Sequence, residues 1–522
     1  MGTYVNPGTK NMEIDIDDEF YVDKSLLVKV LNTKLNKKDR FICVSRPRRF
    51  GKTMAANMIA AYYSKDCDSH DVFSDLKISK DSSFEENINK YTVIQLDMND
   101  VVTNKEDNSI TEYINKEVVS ELRKIYPSAL PEENVSLSKA IKEIFSLTGD
   151  QFVFVIDEYD VIIRDQKYSS ELDGYLTFLV SLFKNSATAP AIALAYLTGI
   201  MPIIKEKTQS KLNNFTEYTM IDPDEMASFM GFTEDEVKSL ATHSDMEFGD
   251  LKKWYDGYNL NGIEVYSPKS VISSVEKRRC DDYWVETSSY EAVTDYISLD
   301  FEGLKEDVIS MFAGNKVEVR TSFYRNTMSF ETKDDVLTYL IHLGYLAYDA
   351  DTSSCFIPNN EIKDMWAHSM ERVEGYKDVF QMIKDSKKLL ESTWNGDEEA
   401  VAEGVGKAHR EACSILEYNN EGSFQSAIHL AYYYARSYYT IVNELPAGKG
   451  VADCAFIPYK PDVPAIIIEL KKDDTVENAI DQIKERKYPE ALEKYKDNLL
   501  LVGISYDSKT KEHFCKIEKA EL

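Results

Sequence analysis

The chain is poor in the residues that build stapled, fibrous or membrane-spanning proteins. Its seven cysteines stand singly, at positions 43, 67, 280, 355, 413, 454 and 515. The number is odd and no two are spaced as Cys-x-x-Cys, which argues against a disulfide framework or a zinc ribbon and fits a reducing compartment. The seven histidines form no His-x3-His pair, so a helical metal motif is absent too. Glycine (21) and proline (14) are scarce, which excludes collagen-like and Pro/Gly-rich disordered chains. No basic-then-apolar leader opens the sequence, and Asn6 stands where a myristoylation signal needs Ser or Thr. The longest apolar stretch, residues 189–204, holds Thr198 and two prolines and is too short to span a bilayer. A soluble cytoplasmic protein with no membrane partner is the expectation.

Positive charge is in short supply as well. Lys and Arg number 61 against 90 Asp and Glu, a net charge of −29. That is a poor electrostatic footprint for coating nucleic acid. The deficit is uneven: residues 441–522 hold 16 acidic and 13 basic side chains, a net of −3, so the other 440 residues carry −26. A nucleic-acid contact is least opposed at the C-terminus.

Enough apolar residues are present to build real cores, 43% of the 522, and the length suits about three domains. Residues 1–220 alternate short apolar runs with helical patterns. Strands are expected at 41–45, 93–97, 152–156 and 192–197, and a helix at about 52–63. That alternation predicts an α/β domain with a mostly parallel sheet flanked by helices. Residues 221–330 read as mainly helical. Residues 331–414 hold a helix, a hairpin at 345–357 and a polar helical stretch. Residues 415–522 return to strand-rich text. No internal repeat marks the chain.

The segment Ser45-Arg-Pro-Arg-Arg-Phe-Gly-Lys-Thr53 follows a strand and opens a helix, the context a phosphate-binding loop requires. Backbone N–H groups at a helix N-terminus form an anion cradle. ATP would lie along Arg46, Pro47, Arg48, Arg49, Phe50, Gly51, Lys52 and Thr53. Lys52 would reach the β- and γ-phosphates and the Thr53 hydroxyl would hold Mg²⁺. Arg46 replaces the first glycine of the usual pattern. Arg46, Arg48 and Arg49 read either as phosphate ligands or as a plain basic turn. About a hundred residues downstream, Phe152-Val-Phe-Val-Ile156 runs into Asp157-Glu158, an acidic pair at the carboxyl end of a buried strand. Asp157 would hold the Mg²⁺ through water and Glu158 would activate the attacking water. After a further strand, Thr198 could set a hydroxyl near the γ-phosphate.

At this point the sequence resembles the bacterial AAA-ATPase-like family. The likeness rests on Tyr21-Val-Asp-Lys-Ser25, the phosphate loop, Val155-Ile-Asp-Glu-Tyr-Asp160, Leu197-Thr-Gly-Ile-Met-Pro202 and Leu212-Asn-Asn-Phe215. It continues through Trp254-Tyr-Asp-Gly-Tyr258, Val265-Tyr-Ser-Pro268 and Tyr283-Trp284, covering at least residues 5–290. The family tolerates Arg at the first glycine position. The resemblance implies a P-loop NTPase core and names no substrate. Arg164 and Arg320 are candidates for a trans-acting arginine, should the protein form an oligomer.

Near the C-terminus, Gly450-Val-Ala-Asp-Cys-Ala-Phe-Ile457 and Ala465-Ile-Ile-Ile-Glu-Leu-Lys471 flank a Pro-rich turn and predict a hairpin. The midpoint of Asp453 and Glu469 is residue 461, inside that turn, so the two carboxylates should face each other across the ladder, about 5 Å apart at Cβ. Lys471 projects on the same face as Glu469. Two like charges this close call for a cation between them, and Mg²⁺ takes oxygen ligands. Lys471 could stabilise charge developing on a phosphate.

This arrangement resembles the PD-(D/E)XK nuclease superfamily, over about residues 415–515. Asn420-Glu421, Asn443-Glu444, Gly450-Val-Ala-Asp453, Ile468-Glu-Leu-Lys471 and Ala479-Ile-Asp-Gln-Ile483 with Tyr488 carry the likeness. It implies that Asp453 and Glu469 are metal ligands, that Lys471 is catalytic, and that Glu421 and Gln482 are auxiliary. Tyr432, Tyr433, Tyr434, Tyr438 and Tyr439 read as core rather than as base-stacking residues, and His429 as a hydrogen-bonded core residue. The sequence therefore points to a Mg²⁺–ATP hydrolysing unit coupled to a metal-dependent nuclease-like domain. The alternatives are a nucleotide-dependent sensor or scaffold whose nuclease fold does not cut, and an ATP-driven remodeller of proteins.

Overall fold

Five strands lie side by side in the N-terminal half, and all of them run parallel. They are β1 (Phe41–Ser45), β2 (Thr92–Asp97), β3 (Phe152–Asp157), β4 (Ile192–Gly199) and β5 (Thr216–Tyr218), in the order β2-β3-β4-β1-β5. The computed structural model describes residues 2–131, 135–203, 212–284, 291–299, 301–321, 330–413, 421–447, 450–459, 462–486, 492, 495, 497–498 and 499–520. It divides into two compact units, one of residues 1–288 and 318–362, the other of residues 289–317 and 363–522.

In the first unit the central strands are buried on both faces, so their sequences are continuous apolar runs rather than alternating ones. Period-two geometry still sorts their side chains between two cores. Phe41, Cys43, Phe152, Phe154 and Ile156 enter one core; Ile42, Val44, Val153 and Val155 enter the other. Ala193 is the extra residue where β4 shifts register against β3. The helix Lys52–Tyr63 is apolar almost all round and is buried over most of its surface. It starts directly after Gly51, whose φ of 85° favours a residue without a Cβ.

Beyond the parallel sheet, the region read as mainly helical contains the helices Glu234–Ser244, Phe248–Tyr255 and Pro268–Lys277. It also holds a small antiparallel sheet that the helical reading did not include: β6 (Phe232–Thr233), β7 (Tyr258–Leu260) and β8 (Ile263–Tyr266), ordered β6-β8-β7. These strands are two to four residues long, too short for a period-two signal to rise above the flanking helices. After β9 (Val317–Glu318) come the helix Lys333–Leu343 and the expected hairpin, β10 (Ala347–Asp349) against β11 (Ser354–Phe356).

The second unit holds the long helices Lys377–Asn395 and Glu398–Cys413 and the helix Glu421–Ala431. They precede a five-stranded mixed sheet in sequential order: β12 (Tyr439–Ala447), β13 (Gly450–Pro458), β14 (Ala465–Lys472), β15 (Leu499–Tyr506) and β16 (His513–Lys519). Only β14 and β15 pair in parallel, and the helix Val476–Glu485 makes their crossover. Gly503 on β15 lets that helix lie close, since a Cβ there would sit 2.8 Å from the Val476 carbonyl oxygen. No helix among the described residues is long and apolar enough to cross a membrane.

In the first unit one buried carboxylate ties neighbouring strand ends together. Asp160, in the turn after β3, is 1% exposed and accepts hydrogen bonds from the Ile200 and Met201 amides, at 3.2 and 2.9 Å, just past β4. Gly199 leaves room for it: a Cβ there would press into the Asp160 carboxylate and the Tyr159 ring. Gly199→Ala is therefore expected to destabilise this unit by roughly 1–3 kcal/mol, the usual effect of overpacking. A lowered urea midpoint with unchanged m-value would show it. An unchanged midpoint would mean that the strand ends have slack to give.

Candidate functional site

The loop between β1 and its helix is braced from below. The Arg46 amide donates to the Gly199 carbonyl at 3.0 Å. Its guanidinium donates to the carbonyls of Ser45, Tyr218 and Met226, at 2.8, 3.1 and 3.3 Å. Arg46 is fully buried, and desolvation lowers its pKa to about 10. Arg46, open between a phosphate ligand and a plain basic turn, has its side chain and its amide both engaged inside the protein, on carbonyls of the kind a buried cation needs. Pro47 contributes its carbonyl, which accepts from the Lys52 ammonium at 3.0 Å. Phe50 is buried against the rings of Tyr258 and Trp284, and its carbonyl accepts from the Gly231 amide at 2.9 Å. Arg48, Arg49, Phe50, Gly51, Lys52 and Thr53 all line one cavity of about 610 Å³. That is within the usual size of small-molecule sites, roughly 300–1,000 Å³.

The acidic end of β3 meets this loop. The Thr53 hydroxyl donates to Asp157 at 2.7 Å. Burial, with Glu158 adding like charge, raises the Asp157 pKa to about 6. Glu158 takes a left-handed φ of 51°, which turns its side chain into the cavity wall. One of its oxygens lies 3.5 Å from the Lys52 ammonium and the other accepts from Arg164 at 2.9 Å. Arg164 also pairs with Asp160 at 3.3 Å, so its charge is met within its own chain. Arg320 is exposed. Thr198 is fully buried on β4; its hydroxyl has no hydrogen-bond partner among the described residues and does not line the cavity. Lys24, in the Tyr21–Ser25 motif, donates to the Ser228 carbonyl at 2.7 Å and to Glu236 at 2.6 Å, and it too lines the cavity.

A separate constellation forms on the mixed sheet of the second unit. The β13–β14 register pairs Cys454 with Ile468, Ala455 with Ile467 and Phe456 with Ile466. Asp453 and Glu469 are the next residues beyond the Cys454–Ile468 pair on their two strands. Asp453 accepts from the Leu470 amide at 2.7 Å. Glu469 is 2% exposed, and burial followed by the charge of Asp453 raises its pKa. Lys471 donates to Gln482 at 2.6 Å and lies 3.2 Å from Glu469. The Gln482 amide closes the triangle by donating to the same Glu469 oxygen. Among the described residues the other Glu469 oxygen is buried without a hydrogen-bond partner. Glu421 begins a helix, but its side chain lies outside the described residues, as do Asn420 and Tyr488. Among the described residues no group of three or more His, Cys, Asp or Glu side chains is placed to hold a metal.

The tyrosines upstream are packed rather than offered to a ligand. Tyr432 is buried with its hydroxyl 2.8 Å from that of Thr393, and Tyr433 stacks on Phe312 and donates to Asp364 at 2.9 Å. His429 is buried in an apolar helix beside Asn443, and desolvation lowers its pKa. Two residues of the first constellation, Asp160 and Arg164, carried a signal that the motif reading did not use. Their i, i+4 spacing is the spacing at which helical side chains pair.

Fold and geometry together define a P-loop unit of the ATPase type joined in one chain to a nuclease-like α/β unit. The comparisons agree: residues 8–208 match the family described as predicted AAA-ATPase, and residues 419–514 match the PD-(D/E)XK nuclease superfamily. The chain thus carries an AAA-ATPase-like domain and a C-terminal PD-(D/E)XK nuclease-superfamily domain. A protein of Azotobacter chroococcum mcd 1, described as an uncharacterized protein in the vnfD 5′ region, is 24% identical over 295 residues, 54% of this chain. The match spans about half, 53%, of that relative's length. Similar solved structures include the Aeropyrum pernix ORC2 protein in ADPNP–ADP complexes, at 10% identity and a TM-score of 0.32, covering 67% of this chain and 96% of that one. Another is the Aeropyrum pernix ORC1 protein in complex with DNA, at 12% identity and a TM-score of 0.24, covering 68% and 96%.

The buried Arg46 has a consequence for acid stability. His342, 3% exposed, has its pKa lowered to about 3 by desolvation and by the Arg46 charge. An unfolded histidine titrates near 6.5. The folded state therefore binds fewer protons between those values, and its stability, full above pH 6.5, is lost as pH falls toward 3. The loss at pH 5.5 should be about 1–2 kcal/mol. In His342→Gln the urea midpoint should fall less between pH 7.5 and 5.5 than in the wild type. Equal falls would place the acid sensitivity elsewhere.

Proposed function

We propose that the first unit binds and hydrolyses ATP with Mg²⁺ and that the second is a metal-dependent nuclease acting on nucleic-acid phosphodiesters. The observation that carries the first half is the meeting of Lys52, Thr53 and Glu158 at one cavity wall, with Asp157 buried behind Thr53, through contacts of 2.7 Å (Thr53–Asp157) and 3.5 Å (Lys52–Glu158). Lys52 is held by the Pro47 carbonyl and Glu158, both of which it can exchange for the β- and γ-phosphate oxygens. Loop amides from Arg48 to Thr53 would cradle the phosphates. Thr53 and Asp157 offer adjacent oxygen donors of the kind Mg²⁺ takes, and they would hold it. Glu158 would orient the attacking water. Bound Mg²⁺ supplies charge neutralisation on the phosphate oxygens.

For the second unit, the buried oxygen of Glu469 beside Asp453, with no hydrogen-bond partner among the described residues, fits a hard cation, which those two residues would hold. Lys471, steadied by Gln482, is within reach of a phosphate lying over Glu469 and would stabilise its developing charge. Glu421 would be auxiliary to this site. The nearly balanced charge of residues 441–522 supports nucleic acid as the partner there. The net charge of −29 supports a second reading, a nucleotide-dependent sensor whose nuclease fold binds without cutting. A cytoplasmic location and assembly into oligomers belong to the same proposal, as does a role for ATP in gating the nuclease.

Two measurements test this. Lys52→Ala should lower ATP turnover by about 10²–10³-fold, and turnover that persists in it would remove the phosphate loop from the mechanism. Labelled single- and double-stranded DNA and RNA, incubated in Mg²⁺ or Mn²⁺ with and without ATP, should be cut by the wild type and not by Lys471→Ala. ATP hydrolysis with no cleavage of any of them would select the sensor reading. Turnover stimulated by protein and indifferent to nucleic acid would select an ATP-driven remodeller.

A further inference from the structure

The geometry points to Arg164 as the positioning residue for Glu158, acting from within the same chain; this inference rests on the ATPase reading. Arg164 closes the short helix Val161–Arg164 that follows β3, and its side chain is 16% exposed. It meets two carboxylates at once. Its terminal nitrogen donates to Glu158 at 2.9 Å and its Nε lies 3.3 Å from Asp160. Asp160 cannot swing away, because the Ile200 and Met201 amides hold the same oxygen that faces Arg164. Arg164 is thus fixed at one side by the end of β4 and holds Glu158 at the other.

The contact gains its importance from what Lys52 must do. Glu158 is met by Lys52 at 3.5 Å and by Arg164 at 2.9 Å. A triphosphate in the loop draws Lys52 to itself, because phosphate oxygens carry more charge than a single carboxylate. Of these two, Glu158 then keeps Arg164. Its backbone, at a φ of 51°, is in a region that a β-carbon disfavours, so the side-chain contact also helps to hold that conformation. Without Arg164 the carboxylate would be free to leave the line of attack, and displacements of about 1 Å can cost 10²-fold in rate. Because Arg164 is engaged in its own chain, it serves the same protomer's Glu158 rather than a neighbour's phosphate.

The test uses the full chain, in wild type, Arg164→Ala and Arg164→Lys. For Arg164→Ala we expect kcat for ATP to fall by about 10²-fold while mant-ATP binds within about threefold of the wild-type affinity. Arg164→Lys keeps the charge but loses the fork, and should turn over between the two. Millimolar guanidinium should restore part of the Arg164→Ala rate. Amide hydrogen exchange, which needs no turnover, should quicken over residues 157–165 and 198–201 in the nucleotide-free Arg164→Ala protein. Wild-type turnover in Arg164→Ala, unchanged exchange over those segments, or a loss of turnover matched by lost mant-ATP binding would each overturn the role of Arg164 and leave ATP hydrolysis standing. A wild type that binds mant-ATP and hydrolyses nothing would overturn the hydrolysis reading and this role together. If circular dichroism shows Arg164→Ala unfolded, the lysine variant decides: a kcat equal to the wild type would overturn the proposal, and a reduced kcat at unchanged affinity would support it.

Discussion

The parallel pairing of β1, β3 and β4 is the constraint on which the first unit depends. In-register parallel strands end together, so everything attached to their carboxyl ends is delivered to one edge. Ser45 lies across from Gly199, Ile156 from Leu197, and Asp97 from Asp157. The loop 46–53, the acidic pair 157–158 and the segment 198–201 are about 40 to 150 residues apart in sequence and meet because their strands stop at the same level. Ligand sites of open α/β sheets gather at this edge for that reason. The twofold burial of each strand makes the register costly to shift, since a slip of one residue would exchange the contents of two cores.

Charge is handled at that edge by short, closed circuits. Arg46 spends its guanidinium on three carbonyls, Asp160 takes two amides and an arginine, and Lys52 rests on a carbonyl and a carboxylate. Each draws most of the hydrogen bonds of a buried charge from its own surroundings, the condition under which a buried ion is tolerated, although the Arg46 Nε and one Asp160 oxygen have no hydrogen-bond partner among the described residues. Arg46 illustrates how a motif departure can be absorbed. The position usually occupied by glycine donates its amide to Gly199, and its side chain turns inward instead of crowding the loop. The nuclease-like unit uses the same economy. One oxygen of Glu469 is met by both Lys471 and Gln482, and the other, beside Asp453, has no hydrogen-bond partner among the described residues.

Much of the architecture was legible in the sequence because it is written in local patterns. The runs at 41–45 and 152–156 and the helix at 52–63 are long and apolar enough to declare their own periodicity, and β1, β3 and that helix lie there. The hairpin joining β13 and β14 could be read from a turn flanked by two apolar stretches, and its register from the midpoint of two carboxylates. The small sheet β6-β8-β7 could not be read, because strands of two to four residues have no period to detect. The orientation of Arg46 escaped for a different reason. A basic residue in a phosphate loop reads from local chemistry as either a ligand or a plain turn, and only the carbonyls of Ser45, Tyr218 and Met226 show which way its side chain lies.

The amino-acid sequence by itself determined which side chains could do chemistry and on what elements they ride: a lysine and a threonine opening a helix, carboxylates ending a strand, a carboxylate and a lysine two apart on another. Those are properties of residue type and period, which need no partner. The tertiary structure alone decided which of them meet. Arg164 pairs with Glu158 only because Asp160, held by amides at the end of β4, fixes where the arginine can lie. Gln482 reaches Lys471 only because a crossover helix packs over Gly503 on the neighbouring strand. Contacts across strands and layers depend on the register and closeness of surfaces far apart in the chain, and no local pattern encodes those distances.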